Sequence, residues 1–314
     1  MKIGGKFTLI KMIAMVMLFV ACSGNDEEQK NEEPQPAPQA MESVRLKVSV
    51  IDYFPAPGQF VNVIPEYEEG DTRESMNQKA TESLCNGDLI SLGAWGGYVI
   101  IKLPNSLPNV EDKPDFRVVG NAVYANDASN AIRIGSAEPG IVMIMQDINQ
   151  NGLPDDTWYE LKGGETTNGI DNYQVMYHYP KADATDENYI EWIAENGDSG
   201  FLNRTTDYQQ DYFPMWIEQT GTLIFRGRKL PDNGSFNVET NRFDLVSYNG
   251  YADSHPNNVE ASCLDIDNAI DCNGNKVRLE SVDFIKIYTG VLQSNGPLGE
   301  CSTEVAAIEQ IVYK

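Results

Sequence analysis

Ile141-Val-Met-Ile-Met145, Gln146-Asp-Ile-Asn-Gln-Asn-Gly-Leu-Pro-Asp-Asp-Thr157 and Trp158-Tyr-Glu-Leu161 follow one another without a break, and their reading decides the fold. The outer two are short runs of apolar, β-branched and aromatic residues, and the middle one is rich in Asn, Asp and Gly. Asn-Gly tolerates positive φ at both turn positions and is the strongest short-range hairpin signal. The same alternation recurs along the chain. β-rich runs stand at Val44–Phe54, Tyr98–Leu103, Phe116–Val119, Tyr173–Tyr179, Thr222–Phe225 and Phe284–Thr289. Asn-Gly pairs begin at Asn86, Asn151, Asn168, Asn196, Asn233, Asn249, Asn273 and Asn295. Many short strands with turn signals between them and few helical periods predict an all-β sandwich. One helix is expected over Thr72–Leu84, where Met76, Ala80 and Leu84 share a face and Asp71 or Thr72 caps the start. Asn188–Ala194 is a second helical candidate. The polar, aromatic stretch from about 165 to 241 reads as a long insertion or a set of hairpins leaving one β-sandwich domain over 43–314.

The central loop also carries the sharpest chemical motif. Asp147, Asn149 and Asn151 offer oxygens at positions 1, 3 and 5, and Gly152 at position 6 permits the sharp turn of a calcium loop. Asp155 and Asp156 take positions 9 and 10, whereas position 12, where a bidentate Glu is expected, is Trp158. The pattern fits an isolated Ca2+ loop between two strands, with a structural role. The alternative is an Asn/Asp turn satisfied by its own side-chain hydrogen bonds.

The N-terminus supplies an address. Lys2, Lys6 and Lys11 precede a short apolar run, Met12 to Val20, that ends in Ala21-Cys22. That is the form of a secretory signal over 1–21, and the run is too short for a membrane-spanning helix, which takes about 20 apolar residues. Leu18 to Cys22 resembles a bacterial lipobox, with Cys22 as the lipidated residue and Leu18 one place further from it than is usual. Residues 22–42, dominated by Glu and Pro, form an extended tether that cannot bury enough surface to order itself. Asp26-Glu27-Glu28 resembles the surface-export signal of Bacteroidetes lipoproteins, which implies an outer-membrane protein, lipid-anchored and facing the medium.

The formal charge is −24, and loss of the three lysines of the signal takes it to −27. Such a balance excludes nucleic acid and anionic lipid as partners and leaves the lipid as the only membrane contact. His178 and His255 are the only histidines, so general bases and transition-metal ligands are scarce. Cys85, Cys263, Cys272 and Cys301 permit two disulfides, a local Cys263–Cys272 staple and a Cys85–Cys301 tie between the chain ends. Free thiols acting as small hydrophobes are the alternative.

Further segments together carry a family resemblance: Ser91-Leu-Gly-Ala-Trp95-Gly-Gly97-Tyr-Val-Ile100, Asp115-Phe-Arg-Val-Val-Gly-Asn121-Ala122 and Glu138-Pro-Gly-Ile-Val-Met-Ile144. Phe284-Ile-Lys-Ile-Tyr-Thr-Gly290 and Gly299-Glu-Cys-Ser-Thr-Glu-Val305 follow near the end. Over 44–314 the chain resembles Bacteroidetes cell-surface lipoproteins described as cell surface protein or PKD-like. The resemblance implies a jelly-roll, galactose-binding-like sandwich, whose last strand returns near the first, as a Cys85–Cys301 link would allow. It also implies an accessory role beside a TonB-dependent transporter, capturing a nutrient such as a corrinoid.

Function is therefore read first as ligand capture, of a corrinoid or a glycan. Trp192, Tyr212, Phe213, Trp216, Tyr248 and Tyr251 offer aromatic contact area, and Tyr248–Asn257, with Asp253 and with His255 as a possible cobalt ligand, is the first-choice binding loop. A glycan hydrolase built on two carboxylates and an adhesion scaffold are the alternatives. Phosphate loops, dinucleotide fingerprints and zinc-peptidase motifs are absent from the sequence, and no catalytic residue is assigned. Gly197-Asp198-Ser199-Gly200 reads as a hairpin turn.

Overall fold

The computed structural model describes residues 41–125, 132–217 and 221–314. The signal, Cys22 and the tether up to residue 40 lie outside the described residues. Met41 and Glu42, expected in the tether, instead begin the strand Met41–Arg45, where they pair with Tyr313 and Val312.

The protein is all-β, with one α-helix among the described residues. The largest sheet has six strands, in the order Ala269–Ile270, Tyr159–Leu161, Gly140–Met145, Ser281–Thr289, Tyr98–Pro108, Ser49–Phe54. Its pairings are all antiparallel. Three four-stranded sheets and one two-stranded ladder complete the set. The sheets do not clearly form the two faces of the expected jelly roll.

The helix forms where the sequence places it, over Arg73–Asn86, with Thr72 as N-cap and Gly87 left-handed at φ 86°. Met76, Ala80 and Leu84 are fully buried. Its polar side chains cover the open edge of the six-stranded sheet. Asn77 accepts the Tyr53 N–H and donates to the Ile51 carbonyl, and the Thr81 hydroxyl accepts the Val50 N–H. An edge that would otherwise invite another strand is thereby closed.

Several expectations change. Val44–Phe54 is two strands in different sheets, broken at 46–48. Asn188–Ala194 is not a helix: Ile190–Ala194 is a strand that turns through Gly197, φ 92°, to pair with Ser199–Leu202. Its Ile-Glu-Trp-Ile run carries β-branched and aromatic side chains that lose more freedom in a helix than on a pleated surface. Within the 165–241 stretch, Ile170–His178, Ile190–Ala194, Ser199–Leu202 and Thr222–Lys229 form a sheet among themselves. They pack over an aromatic cluster that includes Trp95, Tyr177, Tyr212 and Phe225.

All four described cysteines are free thiols, so neither expected disulfide is present. Cys85 lies on the helix against the Val48 carbonyl, Cys263 takes a hydrogen bond from Arg117, Cys301 is buried beside Tyr251 and Val291, and Cys272 is exposed. The four thiols thus sit in four separate environments.

Candidate functional site

The Gly299–Val305 segment is extended, and its alternation sorts the side chains. Glu300, Ser302 and Glu304 face one cleft, while Cys301 enters the core on the other side. The cleft measures about 390 Å³. Phe60, Ile64 and Leu298 supply apolar wall, and Gln59, Asn121 and Glu138 supply polar groups.

Behind this wall lies a cluster of carboxylates. Oxygen atoms of Glu138, Asp253 and Glu304 lie within 4.8 Å of one another, and Asp253 and Glu304 are buried. Backbone N–H groups hold Glu138 and Asp253 in place. Ser302 N–H donates to Glu138 at 3.0 Å, and the Glu304 N–H donates to Asp253 Oδ2 at 3.0 Å. Asp253 Oδ1 accepts from the N–H groups of Asn121 and Ala122 at 2.8 and 2.9 Å. Asp253 itself is left-handed, φ 49°, and Gly120 leaves it room: a Cβ there would stand 2.3 Å from Asp253 Oδ1. Glu304 accepts from the Ser302 hydroxyl at 2.8 Å, and Glu300 accepts the Gln59 N–H at 2.6 Å.

Burial raises the proton affinity of all four acids, because a carboxylate loses water there without gaining a cation. Asp253 is pushed up to about 7 by burial, against the pull of its three backbone donors. Glu304 is raised further by the charges of Glu138 and Asp253. Three acids this close hold protons in common or hold one cation between them.

Several of the residues expected to bind ligand pack within the fold. Tyr212 and Phe213 are core residues of the aromatic cluster, and Trp192 packs against it. Trp216 stacks on Tyr53 at 5.6 Å, and Tyr251 is 2% exposed. The Tyr248–Asn257 loop is a clamp, not an open surface. Ser254 accepts the Tyr248 N–H, and Asn257 both accepts from and donates to the Gly120 backbone. His255 is 5% exposed with Nδ1 against the Tyr124 hydroxyl, and burial lowers its pKa, so no corrinoid cobalt can reach it there. Of that loop only Asp253 joins the acidic cluster.

No family model matches this chain, and no curated protein does.

The loop 147–156 does gather its expected residues. Asp147 accepts the N–H groups of Asn151 and Gly152, and Asp156 accepts those of Ile148 and Asn149. Asp155 accepts from the Asn149 and Asn151 amides. The donor set suits calcium, since three carboxylates and two amide oxygens are hard ligands. In this arrangement the same oxygens also satisfy the turn. The acidic cluster was missed because its members are far apart in sequence, yet one signal was readable. Glu300, Ser302 and Glu304 stand at spacing two, the period that puts extended residues on one face.

Proposed function

We propose that this chain is a non-catalytic capture protein, anchored through Cys22 to the outer membrane and facing the medium. In this reading it holds a small polar ligand, the terminal sugar of a glycan or the amide-bearing edge of a corrinoid, for a TonB-dependent transporter. The observation that carries the reading is the cleft over Glu300 and Glu304. Its volume of about 390 Å³ falls among small-ligand sites, and it combines apolar wall with a few fixed polar groups. Calcium in the 147–156 loop belongs to the same proposal as a structural ion.

Glycan arrays and a corrinoid panel test the cleft. Binding by the wild type, weakened about tenfold or more in Phe60→Ala and Glu300→Gln, supports the reading. No affinity for either ligand class overturns it. Cell fractionation of Cys22→Ala tests the address: release from the membrane is expected, and unchanged tight association refutes the anchor.

One observation favours a second reading, a glycan hydrolase. The Glu138 and Glu304 carboxyl oxygens lie within 4.8 Å of each other, and both groups have raised proton affinities, as a general acid requires. Release of reducing sugar by the wild type, abolished in Glu304→Gln with binding retained, would favour catalysis over capture.

A further inference from the structure

A second cleft, of about 340 Å³, lies on the six-stranded sheet and shares no lining residue with the first. Its floor is a cross-strand row. The register sets Ile100, Lys286, Met143, Glu160 and Ile270 side by side across five strands, so all five project from one face. Tyr288, Trp158, Arg226, Arg228, Asp171 and Asp271 complete the charged and aromatic lining.

Lys286 is the unusual member. Its ammonium makes no hydrogen bond or ion pair with any described residue; its neighbours are the Tyr98 ring at 4.4 Å and the Tyr288 ring at 6.0 Å. Every acid that faces it has another partner. Asp52 is held by Arg73 at 2.7 Å and by the Tyr98 hydroxyl at 2.8 Å. Glu160 lies two strand spacings away, roughly 10 Å, and is paired to Arg228 at 2.9 Å. Asp171 pairs with the same guanidinium. Asp271 accepts the N–H groups of Asn273 and Asn275. Arg226 adds a second cation, bonded among the described residues only to the neutral Gln174 amide.

We propose that this cleft binds a small organic carboxylate with an apolar or aromatic body. The carboxylate pairs with Lys286, with Arg226 in support, and the body lies on Met143, Trp158 and Ile270. The chain as a whole repels anions, so the attraction must be local. A half-buried ammonium lacking a counter-ion supplies it, since an ion pair gains most where water is thin. Burial lowers the Lys286 pKa, and the Asp52 carboxylate, already held by Arg73 and Tyr98, offsets that only in part. A bound carboxylate would reverse that shift.

The test is reductive methylation of the full chain with carbon-13 formaldehyde, followed by NMR titration of the dimethyl-lysine signals. Lys286 is assigned from the signal missing in Lys286→Met. Benzoate, phenylacetate and indole-3-acetate are added in turn at millimolar concentration, with benzamide as the neutral control. The expected result is a Lys286 signal that titrates below the other lysines and moves upward with at least one carboxylate but not with benzamide. In the unmethylated protein, that carboxylate should bind Lys286→Met at least about tenfold more weakly. Lys286→Arg, which keeps the charge, should retain binding and shows whether loss in Lys286→Met comes from charge or from misfolding. No carboxylate-dependent movement of the Lys286 signal, or equal binding by Lys286→Met, overturns the proposal.

Discussion

Asp253 Oδ2 accepts the backbone N–H of Glu304 at 3.0 Å, so one acid positions another in the heart of the cluster. The remaining oxygen of Asp253 accepts two further N–H groups, from Asn121 and Ala122. Three segments distant in sequence are thus tied to one carboxylate. The same carboxylate lies close enough to Glu138 and Glu304 to repel both.

Asp253→Ala should therefore be among the most damaging single changes. It leaves three N–H groups, those of Ala122 and Glu304 buried and that of Asn121 part-buried, without acceptors, each buried one costing about 1–3 kcal/mol with incomplete additivity. It also places Ala at positive φ, where a short polar side chain is better tolerated. A loss of roughly 3–5 kcal/mol in urea unfolding is expected. Asp253→Asn keeps an acceptor for Asn121 and Ala122 and removes a charge, so it should cost distinctly less. Equal losses in the two variants would contradict the account.

The cluster also sets a pH dependence. Glu138, Asp253 and Glu304 bind protons more tightly in the folded protein than in the unfolded chain, where carboxyls titrate near about 4. Between those limits the native state holds more protons, so stability is greatest at the acidic end and falls as pH rises toward neutral and above. Each proton of difference is worth about 1.4 kcal/mol per pH unit. Urea midpoints should decline from about pH 5.5 to about pH 8.5, and Glu304→Gln should flatten the decline. A midpoint that rises over this range would show that the cluster is not held protonated.

Much of the fold was legible because its signals are local. Phe116–Val119 is a strand with the bounds read from sequence, and Thr72 caps the helix as expected. The failures are tertiary. Ile190–Ala194 became a strand because Val175–Tyr177 and Ser199–Leu202 pair with its two sides, which no window of a few residues records. Tyr212 and Tyr251 fit ligand contact or core filling equally well in the sequence, and both lie in apolar cores. The site escaped for the same reason. Asp253 stands in the loop expected to bind ligand, and Glu138 and Glu304 lie in segments that carry the family resemblance, but only the meeting of three distant segments makes them a cluster.

Calcium addition should discriminate between the two carboxylate groups. Calorimetry on the wild type is expected to give heats that vanish in Asp147→Ala, since Asp147 would supply the first ligand of the proposed calcium loop and accepts the N–H groups that set its turn. Glu304→Gln should leave those heats unchanged. Identical heats in wild type and Asp147→Ala would remove calcium from the loop.

Thiol chemistry follows from the four separate environments. In the denatured, unreduced protein four thiols beyond Cys22 should react with Ellman's reagent, because none of the four is bridged. In the native protein Cys272, which is exposed, should react first. Cys85 and Cys263, half-buried and each hydrogen-bonded, should follow. Cys301 should be last. It is 1% exposed, and burial together with the nearby Glu138, Glu304, Asp253 and Glu300 charges pushes its thiol well above the usual range. Thiolate is the reactive form, so Cys301 is protected twice, by access and by charge. Asp253→Ala, which loosens the cluster, should expose Cys301 before any other buried thiol. A denatured count of two or none would restore the expected disulfides, and early native reaction of Cys301 would place Gly299–Val305 outside the core.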